Sequence, residues 1–262
     1  MAAPAAIGKH LVMDMRSLVA QAAHENACWC DLVCRAHGAP GEFHGSHWIA
    51  HGPVPPCYPR LVTLGGPERF ATHRAAVGAL VTAAADPVFA VKDSFRTLDG
   101  AALGLQLLFE AEWIALATEH PEPRDEGQVR WGEVRDEAAL AAWEGAWRGT
   151  PPPGDRAAVR VFPAALLRDP RVVFLAGERE GRIVGTGVLH RSGSVIGLSN
   201  VTGDLAAAFR ACSAASRTRF PGLPVVGYEH GPALDAARAA GFEPLAPLAV
   251  WERRGEGRGT GT

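Results

Sequence analysis

The chain answers itself at a spacing of 136 to 138 residues. Leu61-Val62-Thr63-Leu64 is matched by Leu198-Ser199-Asn200-Val201, and Lys92-Asp93 by Tyr228-Glu229. Leu98-Asp99 then matches Leu234-Asp235, Gly104-Leu105 matches Gly241-Phe242, and Trp113 matches Trp251. Each pair alone is weak. Together, in one order and at nearly one offset, they predict a strand–helix–strand–helix–strand unit used twice. In a chain built this way a site is expected where the two related halves meet.

Local signals agree with that unit. Residues 11–37 carry Leu11, Met15, Leu18, Val19 and Ala22 on one stripe and read as a helix. A Gly/Pro/His-rich loop is expected over 38–59. Strands are predicted at 61–64, 88–91 and 105–116, with a helix over 67–85 opened by Pro67 and a short one capped by Asp99 and ended by Gly104. The polar run 119–128 breaks both periods and sets the expected boundary, giving units 1–125 and 126–254 and a disordered tail, 255–262. The second unit reads as strand 129–134, a helix capped by Asp136, loop 151–154 and strands 172–176 and 183–189 around a turn. Strand 195–201, helix 205–220, strand 225–229, helix 233–240 and strand 248–251 complete it. The class is α/β with a mixed sheet.

Composition excludes several functions. Lys+Arg 26 against Asp+Glu 28 gives a net charge of −2, so no global field draws nucleic acid or an anionic membrane. The 47% hydrophobic content is that of a soluble globular chain, and no window reaches the apolar length of a membrane helix. The first residues lack a secretory signal, and five cysteines, three of them at Cys28, Cys30 and Cys34, argue for reduced thiols in a cytoplasmic protein. Those cysteines, with Cys57, His37, His44, His47 and His51, invite a zinc reading. Cys30 and Cys34 instead fit one face of an apolar helix, and the histidines fall in a loop, so no metal is expected.

The second half resembles a known family. The hairpin 174–189 (FLAGEREGRIVGTGVL), the strand, helix and strand that follow, and the segment 226–245 (VGYEHGPALDAARAAGFEPL) are similar to the GNAT superfamily of acyltransferases. The resemblance covers residues 129–251, and the repeat makes the first half a truncated, diverged copy. It implies two parallel strands, 195–201 and 225–229, that splay apart. The pantetheine arm of an acyl donor would lie along Leu198, Ser199, Asn200, Val201 and Gly203, and an amine would attack the thioester. The family's pyrophosphate loop falls on Val201-Thr202-Gly203-Asp204-Leu205, which has one glycine, no arginine and an aspartate. Its thiolate-protonating tyrosine falls on Ala237, and its usual asparagine on His230.

The residues supply other candidates for that chemistry. Glu229 and His230 stand at the end of the second splayed strand, where either could take a proton from an amine, and Tyr228 could donate one. Lys92 and Asp93, at the matching place in the first half, would line the acceptor pocket, with Tyr58 as a further lining residue. An ion pair between Lys92 and Asp93, a capping role for Glu229 and a core role for Tyr228 are the structural alternatives. The expected function is amide formation on a small molecule or peptide from a pantetheine thioester, either acyl-coenzyme A or an arm on a carrier protein. An aminoacyl-tRNA donor, served by Arg210, Arg217, Arg219 and Arg238, and a non-catalytic binding module are the alternatives.

Overall fold

The structure is a computed structural model that describes residues 7–84, 86, 88–118, 129–149 and 160–254, with side chains from Arg16 onward. Helix α1 (Ile7–Ala36) comes first, followed by strands β1 (Gly41–Phe43), β2 (His47–Ala50) and β3 (Pro59–Thr63). A 3₁₀ turn (Pro67–Arg69) runs into α2 (Phe70–Ala83), then β4 (Phe89–Asp93), a second 3₁₀ turn (Ala101–Leu103) and β5 (Gln106–Leu116). The second half holds β6 (Arg130–Glu133), α3 (Glu137–Arg148), a 3₁₀ turn (Ala164–Arg168), β7 (Val172–Arg179), β8 (Arg182–Ser192) and β9 (Val195–Gly203). It closes with α4 (Leu205–Arg219), β10 (Val225–Glu229), α5 (Gly231–Ala239) and β11 (Glu243–Arg253).

Among the described residues these eleven strands form one sheet in the order β1-β2-β3-β4-β11-β5-β10-β9-β8-β7-β6. The repeat is therefore real in three dimensions: β3, α2 and β4 correspond to β9, α4 and β10, with β3∥β4 and β9∥β10 the two parallel pairs. Each unit gives its closing strand to the other. β5 pairs with β10, β11 pairs with β4, and β5 and β11 pair with each other at the centre. The boundary expected between 125 and 126 lies outside the described residues, and on either side of it the two units share this one sheet. The loop at 151–154 and the tail 255–262 also lie outside them.

Alternation along the strands buries both faces. On one face α1 and α3 cover a core that includes Trp29, Trp48, Trp143, Phe162 and Phe174. On the other, α4 and α5 cover the second half through Ile196, Leu198, Phe209 and Phe242, and α2 covers the first half through Leu61, Val77 and Val91. Helix caps follow the sequence: Asp136 Oδ1 accepts the Ala139 N–H at 2.8 Å, and Asp99 Oδ1 the Ala102 N–H at 3.1 Å. Gly104, at φ 75°, ends the short 3₁₀ turn that Asp99 opens.

Three local expectations are corrected. The expected loop 38–59 contains β1 and β2, where Trp48 is buried against Gly41, a position at which any Cβ would enter the indole ring. Strand 248–251 is the middle of a longer β11, because Pro244 and Pro247 are accommodated beside a register shift between Pro244 and Ala246. Trp113 and Trp251, though matched in sequence, face opposite sides: Trp113 belongs to the α1 core, whereas Trp251 packs with the α2 core after a second register shift at Val250/Trp251.

Candidate functional site

The parallel pair β9/β10 comes apart. Its ladder consists of Val225↔Ile196 and Val226↔Gly197, after which β9 runs on to Gly203 and β10 to Glu229. At the vertex Gly227 admits the Leu198 carbonyl, which would stand 2.8 Å from any added Cβ. Beyond it β9 bulges: the β8 register jumps between Val188↔Ser199 and Thr186↔Thr202, and Asn200 adopts φ 57°. Asparagine tolerates that left-handed conformation better than most residues. Local bonds hold the bulge. Thr186 donates to the Asn200 carbonyl at 2.8 Å and lies 2.7 Å from the Thr202 hydroxyl, and Ser199 donates to Asn200 Oδ1 at 2.8 Å. The β10-facing edge of β9 beyond the vertex is thus open to an added strand or an extended ligand. Of the residues expected to line it, Leu198 and Val201 turn their side chains into the α4/α5 core, so only their backbone serves the groove.

On the α1 face the vertex is covered by a buried polar cluster. Glu25 Oε1 lies 2.7 Å from His190 Nδ1, and both side chains are almost wholly enclosed. The Glu25 carboxylate rests on Gly197, where any Cβ would collide with it, and His190 is the β8 partner of Gly197. Lys92 Nζ donates to Asn26 Oδ1 at 2.6 Å and stands 4.0 Å from the centroid of the Tyr228 ring. Trp113 meets Tyr228 edge-on at 5.6 Å and donates from Nε1 to the Ser94 carbonyl at 2.8 Å. Lys92 and Tyr228, from the two halves, are therefore brought together as the repeat implies. Burial raises the Glu25 carboxyl above its ordinary value; the His190 hydrogen bond and the charges of His190 and Lys92 pull it back. Tyr58 shares this face but packs in the core, 6.5 Å from Phe162, with its hydroxyl buried, lacking a hydrogen-bond partner among the described residues and driven well above its usual range by burial.

Asp93 and Glu229 point to the opposite face. Asp93 accepts from the Leu98 N–H at 2.7 Å and the Phe95 N–H at 3.4 Å, so it organises the turn after β4 and not a pair with Lys92. Burial raises its proton affinity and those backbone donors lower it. Glu229 is half-buried opposite Glu112, and burial pushes its carboxyl up to about 8. Glu112 is itself held by Arg238 at 3.1 Å. His230 is exposed at the start of α5, stacked on Phe109 at 5.0 Å, and makes no side-chain cap.

Past the groove lies the start of α4, where backbone N–H groups and the helix dipole would favour an anion. That place is taken. Asp204 Oδ1 accepts the Ala207 N–H at 3.2 Å, Oδ2 lies 3.3 Å from Arg179 Nη2, and the Asp204 N–H is spent on the Val184 carbonyl at 2.9 Å. An extended pantetheine arm fits the open edge of β9. A pyrophosphate at the end of it would meet the Asp204 carboxylate, which caps the helix and pairs with the nearby guanidinium.

Glu25, Asn26 and His190 were absent from the sequence reading. Asn26 could have been found, since it interrupts the stripe formed by Ala22, Trp29, Cys30 and Val33 at a core position. Cys30 and Cys34 are buried on the same stripe, and all five cysteines are free thiols. Among the described residues no group of three or more His, Cys, Asp or Glu could hold a metal ion, and no helix is long and apolar enough to cross a membrane. Volume alone points elsewhere, to a cavity of about 540 Å³ between β6 and α4. Two of its arginines are in ion pairs, Arg219 with Glu133 at 3.5 Å and Arg130 with Glu178 at 2.6 Å, and no ladder opens there.

The sequence matches no protein-family model and no curated protein. Solved structures share its fold. A GCN5-related N-acetyltransferase from Kribbella flavida aligns with TM-score 0.59 and 14% identity over 91% of this chain and 96% of that one. A functionally unknown conserved protein from Staphylococcus epidermidis aligns with TM-score 0.56 and 10% identity, over 82% and 93% of the two chains. A tandem GNAT protein from the clavulanic acid biosynthesis pathway aligns with TM-score 0.51 and 12% identity, over 80% and 82%. At such identities the likeness is one of fold. The chain has the GNAT fold, and the likeness extends over both halves.

Proposed function

We propose that the protein is an acyltransferase that forms an amide from a pantetheine thioester and an amine of a small molecule or peptide. The observation that carries this reading is the opening between β9 and β10, with a bulge at Asn200 on one wall and Glu229 at the end of the other. The exposed backbone edge of β9 from Leu198 to Gly203 receives the arm as an added strand. The donor supplies an activated acyl carbon. The amine nitrogen forms the C–N bond, the C–S bond breaks, and the thiolate leaves.

Glu229 accepts the proton lost by the amine, and a raised carboxyl is the better base for that task near neutrality. In this reading Tyr228, held between Lys92 and Trp113, protonates the thiolate, and His230, stacked on Phe109, stands beside Glu229 at the mouth. Lys92, enclosed on the α1 face, enters this reading only through the Tyr228 ring that its ammonium faces at 4.0 Å. Asp93 and Tyr58 take no part in this reading, because one is spent on a turn and the other is enclosed in the core.

The test is thiol release from S-acetyl-pantetheine with a panel of primary amines. Release that requires both substrates and saturates in each supports the reading. No release above the uncatalysed rate with any amine would instead make the chain a binding module on the same fold.

A further inference from the structure

We infer that the donor reaching this groove is a pantetheine arm presented by an acyl carrier protein, and not coenzyme A. The inference rests on the acyl-transfer reading above and concerns what lies at the far end of the arm. A nucleotide-bearing donor brings a pyrophosphate, two more negative charges to be met where the groove ends. Among the described residues, the helix start beside the groove presents a carboxylate there, that of Asp204.

At α4 the cap is a carboxylate. Asp204 consumes the Ala207 N–H and the Arg179 guanidinium, and its own N–H goes to the Val184 carbonyl. A phosphate arriving at this helix start would meet a like charge within the first turn, where the dipole otherwise contributes most. Gly203, at φ 81°, lies so close to the Val184 carbonyl that any Cβ would overlap it, which fixes the strand end and the position of Asp204 behind it.

The corresponding place in the first half lacks one of the helix-start donors. Leu64-Gly65-Gly66 leads into Pro67, which has no N–H, and the helix begins as a 3₁₀ turn. His73 Nε2 lies 2.8 Å from the Leu64 carbonyl, and the Arg69 side chain lies over Gly65, 2.7 Å from where a Cβ would be.

An arm that is gripped along its pantetheine but not at its phosphate needs its remaining affinity from another anchor. A carrier protein supplies one: it joins the same arm through a single phosphodiester and contributes its own surface to binding. The chemistry of transfer is unchanged, with the acyl carbon passing from sulfur to nitrogen and the carrier's thiol as leaving group.

The experiment compares three acetyl donors on the full chain: acetyl-coenzyme A, S-acetyl-pantetheine and an acetylated phosphopantetheinyl carrier protein. Calorimetry with coenzyme A and with pantetheine runs alongside. The inference expects coenzyme A to bind no more than about threefold tighter than pantetheine, because the helix-start attraction for an anion is cancelled. It also expects the carrier protein to give the highest kcat/KM.

Asp204→Ser keeps a capping hydroxyl while removing the charge and freeing Arg179. It is expected to tighten coenzyme A roughly fivefold, the scale of a restored helix–anion attraction, and to leave pantetheine unchanged. Coenzyme A binding that is tenfold or more tighter than pantetheine in the unaltered protein, or loosened by Asp204→Ser, overturns the inference. Transfer from coenzyme A and pantetheine but not from the carrier overturns it as well. Transfer from none of the three donors removes the acyl-transfer reading, and the inference with it.

Discussion

The two parallel pairs are copies of one idea, and they differ where it matters. In the first half β3 and β4 pair up to Val62↔Lys92, and one residue further the Ser94 N–H donates to Thr63 Oγ1 at 2.8 Å, closing the strand ends together. In the second half the ladder stops after Val226↔Gly197, and β9 continues through a bulge for six residues beyond that pair, 198–203. A bulge diverts the strand and a side-chain bond would have held it, so the first half is a wall and the second a groove. The residue after the matched lysine or tyrosine diverges in the same way. Asp93 is consumed by backbone donors, whereas the Glu229 carboxylate, opposite Glu112, has no hydrogen-bond donor among the described residues and is pushed up to about 8 by burial.

That contrast can be broken by substitution. Glu229→Gln is expected to lower kcat/KM for amide formation by about 10²- to 10⁴-fold, the usual worth of a positioned base, with the thermal midpoint nearly unchanged. In the unaltered protein the carboxylate is the working form. The rate should therefore rise with pH up to about 8 and level above it. A rate that falls across that range would make Glu229 an acid.

His190→Ala removes the enclosed partner of Glu25 and is expected to cost about 3 to 5 kcal/mol in denaturant unfolding. The sign is set by the Glu25 carboxyl, which folding raises above 4.5. Its unfavourable share is present at neutral pH and disappears as pH falls below that value, so the variant's deficit should shrink in acid. Asp93→Ala leaves the turn donors unmet and should cost about 1 to 3 kcal/mol, lowering activity only as far as the folded fraction falls. Thr63→Val unlatches the Ser94 N–H, with an expected cost of about 1 kcal/mol by thermal melting and no change in turnover.

Much of the architecture could be read in advance because its signals are local. Asp136 caps its helix as the spacing implies, Asp99 accepts an N–H of the 3₁₀ turn that Gly104 ends, and 225–229 is a strand with the same bounds in sequence and structure. The duplicated unit was legible from landmarks, but the exchange of β5 and β11 was not, because strand partners are chosen by long-range burial that no local pattern records. The short β1 and β2 hid in a Gly- and His-rich stretch, and β11 hid behind its prolines.

At the candidate site, the positions of residues on the repeated strands were legible. Lys92 and Tyr228 do meet, and Glu229 ends the splayed strand. Orientation was the harder part. Period-2 alternation sends Asp93 away from Lys92, whereas Leu198 and Val201, three residues apart, reach the same core only because the bulge at Asn200 breaks that alternation. Glu25 and His190 lie 165 positions apart in sequence, and only the folded sheet brings them together over Gly197.

The central claim is that the opening in the second half receives the donor while its copy in the first half stays shut. Amide hydrogen exchange with and without S-acetyl-pantetheine tests it most directly. Added protection should appear on residues 198–203 of β9, with residues 59–63 of β3 unchanged. Protection on β3, or on neither strand at saturating ligand, would contradict the account.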